Sequence, residues 1–539
     1  MRCCFHGPNL PQPSPLGESD CAPRGLVARP ERRFSVRCGL VTLSCGWRGA
    51  AHPAILSEKE TEIGTGSVTF WVVVSSAAIV VMWGLAALGA LSAARTARTP
   101  QGAIGWVVFL LASPLIALPA YMLFGHHRFE RYRASRQATH RAVEDLQAMA
   151  DVRAREPAQT TIAAAPFEAV SGLKVCDGND FELLINGKAA FHAMFKAIDE
   201  ASDYLLIQFY IVRDDDLGRR LKQHLIAAAQ RGVTVWFMAD AIGSHRLTRG
   251  YLRDLAAAGI NLVDRGSQRG PKHRFTLNFR NHRKTVIADG RIAFTGGLNV
   301  GDEYIEPTET FGNWRDTHVR LSGPVVQQLQ LTYAQDWLWL TEEPILDLLN
   351  WMPTPAEANR AALIVPTGPG DTTENGSMMF FSAISAAKDR VWIASPYFVP
   401  DLDVVAALKN AALRGVDVRI LVPDIIDHYL PWLASFAYFD DLRRVGVKVL
   451  RYSGGFMHQK TFVVDDTLAA VGTTNMDNRS FRLNFETMAL FFDRDAAEEV
   501  ASMLEEDFQS ARTLQRGLEE HRAFIRLFAP VARLLAPVL

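Results

Sequence analysis

The sequence predicts an α/β protein of two homologous lobes, each a mixed sheet flanked by helices, preceded by two transmembrane helices. Three observations carry this. Apolar runs of strand length alternate with helical patterns from about residue 166 onward. That alternation occurs twice, with polar residues recurring at one fixed separation. Two long stretches ahead of it contain no charged side chain.

Residues 1–63 are rich in Pro, Gly, Ser and Arg, show no sustained apolar period, and read as a disordered extension or as a start site placed too far upstream. Five of the six cysteines (Cys3, Cys4, Cys21, Cys38 and Cys45) lie there without a CxxC pair or accompanying His spacing, so a zinc site is not expected. Cys176 alone leaves the body of the chain without a disulfide framework. The 57 basic and 58 acidic residues nearly cancel, and no global field argues for a nucleic-acid partner.

Ser67 to Ala94 is long enough to cross a hydrocarbon core of about 30 Å, and residues 103–125 form a second charge-free run whose Pro114 and Pro119 are tolerable where neighbours satisfy the freed carbonyls. A buried hairpin of a soluble protein is the duller use of such runs, and a pair of this length makes it the weaker one. Residues 126–165 read as a basic juxtamembrane linker. Arg128, Arg131, Arg133, Arg136 and Arg141 follow the second run, against Arg95 and Arg98 between the two, which places the C-terminal part in the cytoplasm. Glu58, Glu60 and Glu62 before the first run weigh against that orientation.

The lobes span 166–345 and 346–515. In the first, an apolar strand over 204–212 leads into a Leu- and Ala-rich helix, Arg231-Gly232-Val233 and a strand over 233–240. The second repeats the order with 391–399, a helix from Asp401, Arg414-Gly415-Val416 and 416–424. Residues 516–539 end in an apolar stretch with two arginines from Phe524 onward, expected to lie in a membrane interface or to pack on the second lobe.

The repeat is sharpest in its polar residues. His282 and His458, Lys284 and Lys460, Asp289 and Asp465, and Asn299 and Asn475 each lie 176 positions apart. A lone His or Lys on a strand is more often structural than catalytic, but four identities at one offset are not expected by chance. In an extended strand residues i and i+2 share a face, so each His and Lys are expected to point together, and the Asp at the strand's end, where it can fix a turn or a neighbouring side chain, is counted with them as catalytic.

Two His, two Lys and two Asn across a pseudo-twofold axis suit a phosphodiester. Lys284 and Lys460 would neutralise its non-bridging oxygens, and Asn299 and Asn475 would donate hydrogen bonds to them. One neutral imidazole would attack phosphorus while the other, protonated, serves the leaving alcohol and then activates the incoming hydroxyl. This chemistry needs no cofactor. A metal is not expected either, because no HExxH or Cys partner is present and the lysines would repel a divalent cation.

The doubled HxKxxxxD followed by Gly-Gly/Thr-x-Asn resembles the phospholipase D superfamily over roughly 166–515. Gly301–Tyr304, Phe311–His318, Ser395–Pro400 and Asn484–Glu486, with two preceding apolar spans, are similar to bacterial cardiolipin synthases. The resemblance implies a multi-pass protein of the bacterial inner membrane that condenses two phosphatidylglycerol molecules to cardiolipin and glycerol, with phosphatidylglycerol and anionic lipids as partners. It further implies His282 as nucleophile and His458 as acid and base, which the near-symmetry of the motifs does not assign. Glu486 resembles a position supporting a catalytic His, and Glu303 is the candidate for the matching role. A hydrolytic phospholipase D, a synthase taking phosphatidylethanolamine as donor, a nuclease and a non-enzymatic membrane scaffold are the alternatives. The membrane runs and charge balance disfavour the nuclease, and the intact motifs disfavour the scaffold.

Overall fold

The computed structural model describes residues 63–97, 99–125, 160–263, 280–371 and 373–539. The extension with its five cysteines and the arginines from Arg128 to Arg141 lie outside the described residues. The chain divides into two units, 1–77 and 78–539. In the first, residues 63–77 are the start of helix α1 (Ile63–Thr96), with Phe70, Trp71 and Val73 exposed.

Of α1, Thr69–Thr96 is long and apolar enough to cross a membrane. The second apolar run differs from the single helix expected over 103–125. It is broken into α2 (Pro100–Ala112) and α3 (Pro114–Phe124). Proline disfavours helical geometry in the residue before it and donates no N–H, and Ser113 accordingly sits at φ −144°, ψ 61°. Neither piece alone reaches the roughly 20 residues a span requires. Both fold back on the end of α1, where Ala90 and Ala93 admit Leu110, Ala117 and Tyr121, and the Tyr121 hydroxyl donates to Ser92 Oγ at 3.1 Å.

After α4 (Ala165–Ser171), lobe 1 contributes β1 (Cys176–Ile185), β2 (Tyr204–Phe209), β3 (Thr234–Ala239), β4 (Asn261–Val263), β5 (Arg280–Asn281), β6 (Thr285–Ala288), β7 (Ile292–Gly296), β8 (Trp314–Arg315) and β9 (Thr317–Ser322). Lobe 2 contributes β10 (Arg360–Thr367), β11 (Arg390–Ala394), β12 (Phe398–Val399), β13 (Asp417–Pro423), β14 (Lys448–Tyr452), β15 (Phe456–Met457), β16 (Thr461–Val464), β17 (Leu468–Gly472), β18 (Met476–Asp477), β19 (Asn484–Phe491) and β20 (Ala511–Thr513). Outward from the centre, one side of the main sheet runs β1, β9, β7, β6, β2, β3, β4. The other runs β10, β19, β17, β16, β11, β13, β14, with β20 at its edge. The two series match element for element, and β1 and β10 join them antiparallel, Cys176 opposite Ala362. Within each lobe's part of the main sheet the β2–β3–β4 and β11–β13–β14 sets are parallel and the rest antiparallel, the mixed sheet the alternation predicts, and β12 and β18 form a separate parallel pair.

Helices α5 (Asn186–Glu200), α6 (Asp216–Gln230), α7 (Arg249–Ala257) and α8 (Val325–Thr341) flank lobe 1. Lobe 2 carries α9 (Asn375–Ala386), α10 (Leu402–Leu413), α11 (Tyr429–Arg443), α12 (Asn478–Arg482), α13 (Arg494–Gln509) and α14 (Ala523–Arg533). The repeated Arg-Gly-Val closes α6 and α10 alike. Gly232 (φ 93°) and Gly415 (φ 92°) adopt the left-handed turn that only glycine enters freely, and Arg231 and Arg414 donate to the carbonyls of Ile198 and Ala387.

Candidate active site

The His and Lys of each motif precede their strands instead of lying on them, because the chain there bonds to the opposite lobe. The His282 N–H donates to the Phe485 carbonyl at 3.0 Å, and β5 runs parallel to the start of β19. The His458 N–H donates to the Arg315 carbonyl at 2.8 Å, and β15 runs parallel to β8. Regular pairing with the home sheet resumes only at Thr285 and Thr461.

The side chains cross over in the same way. His282 Nδ1 lies 2.8 Å from Glu486 Oε2, and His458 Nδ1 lies 2.9 Å from Asp316 Oδ2. Each imidazole is held by a carboxylate of the other lobe. A carboxylate on Nδ1 fixes the tautomer that carries its proton there and leaves the Nε2 lone pair for chemistry. Glu486, for which the resemblance implies support of a catalytic His, stands against His282. Glu303 does not stand against the other imidazole: it pairs with Arg213 at 2.5 Å, and Asp316 takes the matching place.

The two carboxylates are supported differently. Glu486 Oε2 accepts the Thr473 hydroxyl at 2.6 Å and Oε1 accepts Asn484 Nδ2 at 3.0 Å. Asp316 accepts the Thr317 N–H at 2.8 Å and crowds the backbone of Gly297, the residue matching Thr473. A Cβ at Gly297 would stand 1.9 Å from Asp316 Oδ1, so the shorter carboxylate requires glycine there.

Both lysines are buried. Lys284 Nζ donates to the His282 carbonyl at 2.7 Å and sits 5.6 Å from the Tyr210 ring centre. Lys460 Nζ bonds the His458 carbonyl and approaches His458 Nδ1 at 2.8 Å. Tyr210 stands edge-on to His282 at 5.0 Å between ring centres, and Trp314 lies 5.2 Å from His458. Neither aromatic stands out in the sequence, since an aromatic beside a strand reads as core.

Burial and charge then set the protonation states. Desolvation, reinforced by Lys284 and Lys460 against the pull of Glu486, takes His282 down to about 4. Desolvation and Lys460 take His458 to about 3. Burial also lowers Lys284 well below the ordinary range and Lys460 to about 8. Burial opposes ionisation of Asp316 and Glu486, yet Lys460 and His458 hold the first, and His282 and Lys284 the second, below the usual carboxylate values. Each imidazole is depressed by both lysines, so the two motifs share one electrostatic site.

Asp289 and Asp465 face elsewhere. Asp289 accepts N–H bonds from Ser202, Asp203 and Tyr204 at 2.8–2.9 Å, and Asp465 accepts those of Lys388, Asp389 and Arg390 at 2.8–3.0 Å. Both sit at positive φ (53° and 50°) in the turn after their strand, pinning the start of β2 and of β11. Asn299 is engaged by the fold, accepting the Ile211 N–H at 3.1 Å and donating to the Tyr304 hydroxyl at 3.1 Å. Asn475 has a buried Oδ1 without a hydrogen-bond partner among the described residues. Two arginines act on Tyr210, the ring beside His282. Arg280 hydrogen-bonds Tyr210, and Arg479 is lowered by burial and then by the Arg280 charge beside it.

Residues 194–337 and 380–510 match the family model described as cardiolipin synthase, PLD-like domain. Cardiolipin synthase A of Pseudomonas fluorescens Pf-5 is 44% identical over 466 residues, covering 84% of this chain and 96% of that protein. Cardiolipin synthase A of Pseudomonas aeruginosa LESB58 is likewise 44% identical, covering 84% and 94%. Among solved structures, phosphatidylserine synthase of Haemophilus influenzae superposes with a TM-score of 0.50 at 14% identity over 67% of this chain and 95% of that one, a likeness of fold. With a family model matched in both lobes and relatives covered almost end to end, the chain belongs to the cardiolipin synthase family of phospholipase D-like proteins.

Proposed function

We propose that the protein transfers a phosphatidyl group from one phosphatidylglycerol to the free glycerol hydroxyl of another, giving cardiolipin and glycerol. The observation that supports this is the crossed pair of His–carboxylate contacts, which engages Nδ1 of each imidazole and leaves its Nε2 to chemistry, beside two buried lysines. His282 Nε2 attacks phosphorus, and the P–O bond to the glycerol headgroup breaks as His458 gives that oxygen a proton. His458, now neutral, takes the proton of the acceptor hydroxyl, whose oxygen attacks phosphorus while the P–N bond to His282 breaks.

In this mechanism Lys284, Lys460 and Asn475 stabilise the phosphoryl oxygens, and Asn299 braces the loop at Ile211. Asp289 and Asp465 position their strands. Arg280 and Arg479 supply a second cationic locus suited to the acceptor's phosphate. Helix α1 spans the bacterial inner membrane and the second apolar run, α2 with α3, enters the same bilayer beside it; the arginines after that run favour the lobes on the cytoplasmic side.

Incubating the full chain in detergent with labelled phosphatidylglycerol tests the reading. Cardiolipin and glycerol are expected in equal amounts; phosphatidic acid as the sole lipid product would make the protein a hydrolase.

A further inference from the structure

Helix α14 fully buries only small residues, Ala529 and Ala532, packs Ile525 half-buried against the core, and turns its other large apolar side chains outward. Leu534 is 78% exposed, Leu527 65% and Phe524 59%, with Phe528, Val531 and Leu535 exposed beside them. Leu534 and Leu535 lie in the turn just after the helix, and a spacing of three and four residues puts Phe524, Leu527, Phe528 and Val531 on one helical face. A contiguous apolar face of this kind marks a contact surface.

The face is held firmly. Arg533 lies 4.6 Å from the Tyr438 ring centre on α11, and His521 packs edge-on to Phe436 of the same helix at 4.8 Å. The Leu539 carbonyl accepts the Arg479 N–H at 2.7 Å, tying the chain end to α12, which begins three residues after Asn475. Tyr429 and Leu430, at the start of α11, are exposed as well.

Two features choose the occupant. The exposed Arg522 and Arg526 accompany the apolar face, the pattern that draws an amphipathic helix to anionic headgroups. The same chain carries a helix able to cross a membrane, so a bilayer is at hand. We propose that α14 lies in the interfacial layer of that bilayer, on an anionic leaflet, and seats lobe 2 there so that a phospholipid reaches the site without leaving the membrane. This rests on the reading that the substrate is a bilayer phospholipid.

The test uses the full chain in vesicles containing phosphatidylglycerol, with the five N-terminal cysteines replaced by serine and an environment-sensitive fluorophore on Leu527→Cys. Bromine on the acyl chains near the headgroup is expected to quench the label by roughly two-fold or more, and to spare the same label on Glu505→Cys of α13. Replacing Leu527 and Phe528 together by Glu is expected to slow turnover of bilayer phosphatidylglycerol on the order of ten-fold while leaving turnover of dispersed short-chain phosphatidylglycerol unchanged, which also reports intact folding. Emission indifferent to bromine overturns the proposal, including the blue-shifted case in which a second copy covers the face. So does full bilayer activity of the charged variant. Quenching as expected, with no cardiolipin formed by the unsubstituted protein, would count against the functional reading alone.

Discussion

Asp316 holds the proton-bearing nitrogen of His458, and an amide in its place would offer that nitrogen a much weaker partner and free the imidazole to turn. Asp316→Asn is expected to lower kcat by about 10²–10⁴-fold, the usual worth of a positioned acid–base group, and to alter the pH profile, with the fold retained. Glu303→Gln, which disturbs only the contact with Arg213, is expected to stay near the unsubstituted rate; the reverse ranking would return the role to Glu303. The contrast shows where sequence reading stopped. Four polar identities recur at 176 positions, but Asp316 and Glu486 stand 170 apart and differ in type, because the first lobe has six more residues between the motif's Asn and the carboxylate. A fixed-offset comparison passes over such a pair. Two signals were available: Asp316 lies in the family-like stretch Phe311–His318, and Gly297 is a glycine where the partner lobe has Thr473. Protonation gives a second prediction. With His282 near 4 and His458 near 3, both imidazoles of the free site are neutral at pH 7, whereas transfer needs one of them protonated. An anionic phosphodiester raises the pKa of the imidazole beside it, so binding takes up a proton, and affinity falls as pH rises through the bound-state value. Calorimetric titration with a non-cleavable phosphonate lipid analogue, in buffers of different ionisation heat, is expected to show uptake of about one proton at pH 7. Zero uptake would mean that the acid is already charged before substrate arrives.

At the scale of elements, Asp289 and Asp465 show how a motif residue serves chemistry without touching it. Each lies seven residues beyond its His, roughly 20 Å along an extended chain, and gathers the N–H groups that open β2 or β11. The pinned strand then sets the register of β6 or β16, and with it where His and Lys leave the sheet. Asp465→Ala strands three partly buried donors and is expected to cost about 3 kcal/mol, since each unmet N–H costs about 1–3 kcal/mol and water recovers part. Thermal unfolding in detergent is expected to shift downward, while kcat below the midpoint changes by less than about three-fold. A folded Asp465→Ala variant as inactive as His458→Ala would place the carboxylate in the chemistry itself. The same scale explains the second apolar run. Its lack of charge was plain in the sequence, but whether prolines bend or end a helix depends on the neighbours, and Ser113-Pro114 ends one while Pro119 lies inside α3.

For the whole molecule, the strand–helix alternation and the glycine turns were legible because they are local, and the strands at 204–209 and 417–423 lie where the apolar runs put them. The union of the lobes was not, because it rests on pairings between distant segments, β1 with β10 and each motif with the opposite lobe. Buried polar contacts reinforce that union. Arg315 of lobe 1 bonds Asp507 of lobe 2 through Nε and Nη2, both at 2.7 Å, and Gln459 donates to the same carboxylate at 2.7 Å. Arg283 reaches across in the other sense, to the carbonyls of Glu486 and Thr367. Each lobe therefore supplies half of the other's site, and the catalytic part should unfold as one cooperative unit. Asp507→Asn leaves the Arg315 charge buried without its counter-ion, a change expected to cost about 3–5 kcal/mol. If the lobes share one unfolding transition, amide exchange in β6 and in β16 accelerates by the same factor, on the order of 100-fold or more, although Asp507 lies on a helix of lobe 2. Faster exchange in β16 with β6 unmoved would show two independently stable lobes, and the crossed His–carboxylate pairs would then open without global unfolding.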